Sequence, residues 1–131
     1  MLVQAKEAGA DTLQIAQLQQ ELSYQARLKD ARDGHFERTY AVSELTVKKQ
    51  VAPNYPRGAQ SKGMQGWVEV EFTVTEEGDV RDARARSSSA SIFEGTAISA
   101  INRWRFEPVV EDGRPVPVRG VLKFTFRGES G

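Results

Sequence analysis

Apolar and polar residues alternate without a break from Val68 to Val74. Val68, Val70, Phe72 and Val74 fall on one side, and Glu69, Glu71 and Thr73 on the other. A period of two marks a strand with one buried face, here Trp67–Thr75. "TEEGD" follows and supplies a tight turn at Gly78 and Asp79, so Val80–Ser87 returns as a hairpin partner. Val80 is out of phase with Ala83 and Ala85, which predicts a bulge in the returning strand. The period then changes. Phe93, Ala97, Ala100, Ile101 and Trp104 recur at i, i+4, i+7, i+8 and i+11, one face of a helix. Ser91 and Glu94 read as its capping box, and Glu107-Pro108 ends it. "VEDGRPVPV" is a turn with prolines, and Val118–Phe126 is a last strand with Leu122, Phe124 and Phe126 on one side. Pro115 and Pro117 donate no ladder hydrogen bond, so they precede that strand or lie on an edge.

Upstream of the hairpin, Pro53, Asn54 and Pro56 punctuate the chain. Pro56 suits a first helical turn and Ala59 continues it, with Gly63 or Gly66 as its stop. Further back, Asp11–Arg32 contains no Pro or Gly. Leu18, Leu22, Gln25 and Lys29 share one spacing, and Ile15, Leu18 and Leu22 form a short apolar seam. This predicts an amphipathic helix with Asp11 as N-cap and Gly34 as its stop. Between His35 and Gln50 a brief strand and a linker are equally compatible with the pattern. The expected architecture is α+β: two helices packed on one face of a three-stranded antiparallel sheet over residues 51–128, preceded by a helical extension or linker over residues 1–50.

Composition narrows the function. Of 131 residues, 18 are basic and 18 acidic, and the balance holds on both sides of residue 50. Such a chain carries no electrostatic footprint for nucleic acid. The absence of cysteine removes disulfides, thiolate catalysis and sulfur-ligated metals. His35 is the single histidine, and the serines at 87–89 and Ser91 read as a loop with a cap rather than a nucleophile site. Glu76, Glu77, Asp79 and Asp82 lack the spacing of a calcium loop, and no Gly-Lys-Ser/Thr follows Gly58 or Gly63. No enzyme, cofactor or metal is expected. Arg84 and Arg86 share one side of a strand, either as a basic stripe for an anionic partner or as a wet face opposite Glu69 and Glu71. Trp104 reads as core, and Trp67 as lying over the sheet edge or a helix end. The start, "MLVQAKEAGADTL", has neither the basic nor the apolar region of a signal peptide. Any export or membrane segment is expected to precede Met1.

"PNYPRGAQSKGMQGWVEVEFTVTEEGDV", the serines, and "FEGTAISAINRWRFEPVVEDGRPVPVRGVLKFTF" together resemble the C-terminal domain of TonB-type energy transducers. The matching elements are Pro53, Tyr55-Pro56, Ala59, Gly63, Gly66, the V-x-V-x-F-x-V strand, Gly78, Val80, Trp104-x-Phe106-x-Pro108 and Gly113-x-Pro115-Val116. The resemblance covers Val51 to about Phe126. It departs from the family in residues 1–50, where a Gln-rich helix stands in place of a membrane helix and Pro-rich spacer.

The resemblance implies a periplasmic domain of a Gram-negative cell, held at the inner membrane by an anchor missing here and coupled through it to motor proteins. It further implies that the domain grips the Ton box of outer-membrane transporters by strand addition, transmitting proton-motive force for uptake. The expected docking edge is Val118, Arg119, Gly120, Val121, Leu122, Lys123, Phe124 and Thr125, with Arg119, Val121, Lys123 and Thr125 on its solvent side. Arg119 and Lys123 serve equally well as guards against uncontrolled pairing. Gln50 and Tyr55 resemble the family segment lying beside the docked peptide; Tyr55 also suits packing under the sheet. The alternative is an envelope assembly module of the same fold without force transmission, in which the Asp11–Arg32 helix promotes a homodimer.

Overall fold

The computed structural model describes residues 2–127, with side chains from residue 15 onward. In chain order the elements are α1 (Leu2–Arg32), β1 (Thr39–Ala41), β2 (Val47–Lys49), α2 (Arg57–Ser61), β3 (Gly66–Val74), β4 (Val80–Ser88), α3 (Glu94–Ile101), β5 (Arg105–Phe106), β6 (Val109–Glu111), β7 (Arg114–Val116) and β8 (Val118–Phe126). Two compact units divide between His35 and Phe36.

The first unit is α1. It runs through Asp11 rather than starting there. It stops where the sequence places its stop: Gly34 N–H donates to the Ala31 carbonyl at 3.0 Å and His35 N–H to the Asp30 carbonyl at 2.7 Å. This pair of bonds satisfies carbonyls that the helix end leaves open. Ile15, Leu18 and Leu22 are each more than half exposed.

In the second unit β3 is the central strand. Val68, Val70, Phe72 and Val74 are fully or almost fully buried, as their alternation predicts. β3 pairs antiparallel with β8 along its whole length, from Gly66 opposite Phe126 to Val74 opposite Val118. On its other side it pairs antiparallel with β4, whose register slips twice, near Arg86 and around Asp82. Asp82 adopts φ 53°, a conformation that short polar side chains tolerate in a bulge.

The sheet has four strands rather than three and is mixed rather than antiparallel, in the order β1-β8-β3-β4. The fourth strand comes from the 35–50 stretch. β1 joins β8 in parallel, with Thr39 opposite Arg119, Tyr40 opposite Gly120 and Ala41 opposite Val121. An uncovered strand presents unpaired N–H and C=O groups, and a nearby segment with Thr and Tyr is suited to take them. β2 pairs separately with β5, so Thr39–Lys49 lies in the same unit as the sheet.

The apolar face of the sheet is covered by aromatic rings and by α3. Phe93 stacks on Phe126 at 4.6 Å, and Phe72 stacks on Phe106 at 5.6 Å. Trp104 meets Phe124 edge-on at 6.0 Å and donates its indole N–H to the Val51 carbonyl at 2.7 Å. Three glycines are required by close approach, Gly66 against the Phe93 ring among them. A Cβ on Gly120 would stand 2.7 Å from the Phe72 ring, and one on Gly78, at φ 90°, would stand 2.0 Å from the Phe106 carbonyl oxygen. Before α3 the expected capping box does not form. Ser91–Phe93 makes a 3-10 turn, and the Glu94 carboxylate accepts instead from the Ser88 hydroxyl. Pro115 lies in the small β6–β7 hairpin and Pro117 just before β8, both clear of the central ladder.

Candidate docking edge

β8 alternates across the sheet. Val118, Gly120, Phe124 and Phe126 are buried on the core side, and Leu122 is half-buried. Lys123 and Thr125 are exposed on the opposite face, with Arg119 and Val121 half-buried there. One flank of β8 is fully taken by β3. The other flank differs along its length. Arg119, Gly120 and Val121 are covered by β1, so the expectation of an edge open from Val118 to Thr125 is corrected for these three. Beyond them the chain after Ala41 turns away in a 3-10 helix, Val42–Glu44. Among the described residues no strand pairs with Leu122–Phe126 on that side. Backbone groups directed outward there are available to another chain.

Behind this open half-edge lies a firm apolar support. Trp104 rests against Phe124, and Tyr55 meets Phe126 edge-on at 5.8 Å and Phe93 at 6.1 Å. The Tyr55 hydroxyl donates to the Met64 carbonyl, which fixes the ring under the sheet. Gln50 is exposed, and the chain runs from it through Val51, held by Trp104, to Tyr55. Tyr55 is therefore part of the core packing at the end of β8, and Gln50 lies one residue from the anchor at Trp104.

The face of the sheet away from α3 is a charged lattice. Glu71 is only 9% exposed; Arg84 donates to its carboxylate from β4, and Arg119 stands 3.9 Å away on β8. Arg86 pairs with Glu69 at 3.4 Å. Lys123 Nζ sits 4.8 Å from the centre of the Trp67 ring, a cation–π contact. The Arg84 and Arg86 stripe thus meets the opposing glutamates across the hairpin, but the expected wet face is corrected at Glu71, which is buried there. At the other end of β8, Arg119 lies 4.8 Å over the Phe36 ring, and Arg38 lies 3.8 Å over the Tyr40 ring. A hydrogen bond with Tyr40 is the main reason that the Arg38 pKa is raised, which changes no charge at physiological pH because arginine is protonated there in any case. No cluster able to hold a metal occurs among the described residues.

The family model for the Gram-negative bacterial TonB protein C-terminal region matches residues 51–127, more than half of the chain. This chain belongs to that family. It is 35% identical over 88 residues to Protein TonB of Pseudomonas aeruginosa, covering 66% of this chain and 26% of that protein. It is 33% identical over 84 residues to Protein TonB of Vibrio cholerae, covering 63% of this chain and 34% of that protein. The solution NMR structure of the Pseudomonas aeruginosa TonB C-terminal domain superposes with a TM-score of 0.59 at 32% identity, covering 70% of this chain and 95% of that one. The chain thus spans about a quarter to a third of the TonB proteins it matches. No helix among the described residues is long and apolar enough to cross a membrane.

Sequence reasoning placed no site residue in β1. Its one signal was the run from Thr39 to Ala41, where a β-branched and an aromatic residue neighbour each other. Three residues are too few for a period of two to declare itself.

Proposed function

We infer that this TonB-family domain binds an extended segment at the N-terminus of an outer-membrane transporter, the Ton box, by strand addition along β8. The observation that carries the reading is the flank of Leu122–Phe126, unpaired among the described residues and backed by Trp104 and Tyr55. Main-chain hydrogen bonds supply affinity in this mode, and side chains flanking the edge supply selection. Lys123 and Thr125 on the open face are placed to meet alternate residues of the arriving strand. In this reading the domain works in the periplasm of a Gram-negative cell. A part of the protein beyond this chain links it to an inner-membrane motor, so that a pull is transmitted with no catalytic step. The test is binding of a synthetic Ton-box peptide beside two analogues N-methylated at alternate residues, one in each register. The analogue whose methyl groups replace the N–H groups facing β8 should lose binding. Equal binding of the parent and both analogues would rule out strand addition.

A second reading, an assembly module of the same fold, is favoured by one observation: the exposed seam of Ile15, Leu18 and Leu22 on α1. It requires the full chain to self-associate, and Leu18→Glu with Leu22→Glu to abolish that in sedimentation.

A further inference from the structure

We propose that β1 is a detachable strap that occupies the first half of the docking edge, so an arriving strand gains that half only when β1 lets go. The inference rests on the reading of β8 as the docking strand. It deepens that reading by making access to the edge conditional.

The first support is how little holds β1. It has three residues, with Thr39 and Ala41 exposed and only Tyr40 half-buried. Its side-chain attachments include polar and cationic ones: Arg38 over the Tyr40 ring, and a 3.5 Å contact from the Tyr40 hydroxyl to Glu111. An element with few buried apolar contacts opens locally before the rest of the fold. The second support is position. β1 ends opposite Val121, and the open flank begins at the next residue, Leu122. The Ala41 N–H is taken by Glu44 Oε1 at 2.9 Å, within the turn that leads the chain off β8. Strap and open flank therefore lie on one continuous edge, and a longer guest must compete with β1 for Arg119–Val121.

The third support is what precedes the strap. Only residues 33–38 separate β1 from the end of α1 at Arg32. Tension on the chain ahead of Phe36 passes to β1 before it reaches any strand of the central ladder. A pull from that side would release the strap first and lengthen the available edge. The apparent affinity for a long guest then scales with the fraction of molecules whose strap is open.

A covalent lock tests this on the full chain, which has no native cysteine. Ala41 and Val121 are in-register neighbours on adjacent strands, and such neighbours fall within the Cα separation a disulfide accepts. In the Ala41→Cys, Val121→Cys variant, oxidation fixes β1 and reduction frees it, so each state controls for the folding of the other. A synthetic peptide from the N-terminus of a TonB-dependent transporter, long enough to span Arg119–Phe126, is titrated into both. A strap open in about a tenth of molecules already weakens the reduced form about tenfold against an always-open edge, and the oxidised form, whose open fraction is nil, falls further, to the affinity of the Leu122–Phe126 half alone. Equal affinity in both forms overturns the strap. Hydrogen exchange on the unmodified chain reads opening without any peptide: the Thr39 and Tyr40 amides should exchange faster than those of Val68–Val74 in β3. Equal protection of β1 and β3 also overturns it. Failure of the peptide to bind either form overturns the docking reading instead, and the exchange rates still decide whether β1 opens on its own.

Discussion

The sheet has two long outer strands, and they meet the problem of an unpaired edge in different ways. β4 is irregular: its register with β3 slips twice, Asp82 takes a left-handed conformation, and Arg81, Asp82, Arg84 and Arg86 stud its length. Bulges and charges make such an edge a poor template for another chain. β8 is regular, in unbroken register with β3 over nine residues. It is covered at one end by β1 and, among the described residues, no strand covers it from Leu122 onward. One edge is blunted by its own geometry, the other by an occupant. A protein that needs a partner strand can keep only the second kind ready, because a bulge cannot be removed on demand while a short strand can.

Substitutions should separate these two edges by size of effect. Trp104→Ala removes the ring behind Phe124 and should cost about 3–5 kcal/mol, read as a large fall in thermal midpoint. An unchanged melt would show that the open half-edge does not depend on that support. Gly120→Val pushes a side chain at the Phe72 ring beneath the strapped half and should cost about 1–3 kcal/mol in denaturant unfolding, loosening β1 as well. On the β4 side, Arg84→Ala leaves the almost buried Glu71 carboxylate with only the more distant Arg119, at a cost of about 1–3 kcal/mol. The loss should shrink if Glu71 is replaced by Gln in the same chain. Arg86→Ala breaks a pair that is well exposed on both sides and should change stability by no more than about 1 kcal/mol, with no effect on peptide binding. A binding defect in Arg86→Ala would move the docking surface toward β4.

Much of this contrast could be read from the residues. The alternation through Val68–Val74 set the central strand and its buried face, and the phase slip between Val80 and Ala83 announced the irregular partner. The helix face beginning at Phe93 was legible only in part: the helix stops at Ile101 rather than at Glu107-Pro108, Phe93 lies in the 3-10 turn before it, and Trp104 packs from the turn that leads into β5. β1 was not legible. Its pairing is long-range, joining residues some eighty positions apart in parallel, and its own three residues carry no repeat. The open edge was drawn too long for the same reason: whether a strand is an edge depends on what else the chain brings beside it. The capping box failed because Ser88, at the end of β4, reaches Glu94 and takes the carboxylate that Ser91 would have used.

The central claim is that the uncovered half of β8 receives an extended peptide, and amide chemical-shift mapping of the labelled chain during titration with a Ton-box peptide tests it most directly. The account predicts shifts that concentrate on Leu122–Phe126 and on their neighbours near Gln50 and Tyr55, with smaller changes at Thr39–Ala41 as the strap gives way. Shifts confined to β4 or to α1, with β8 silent at saturating peptide, would contradict it.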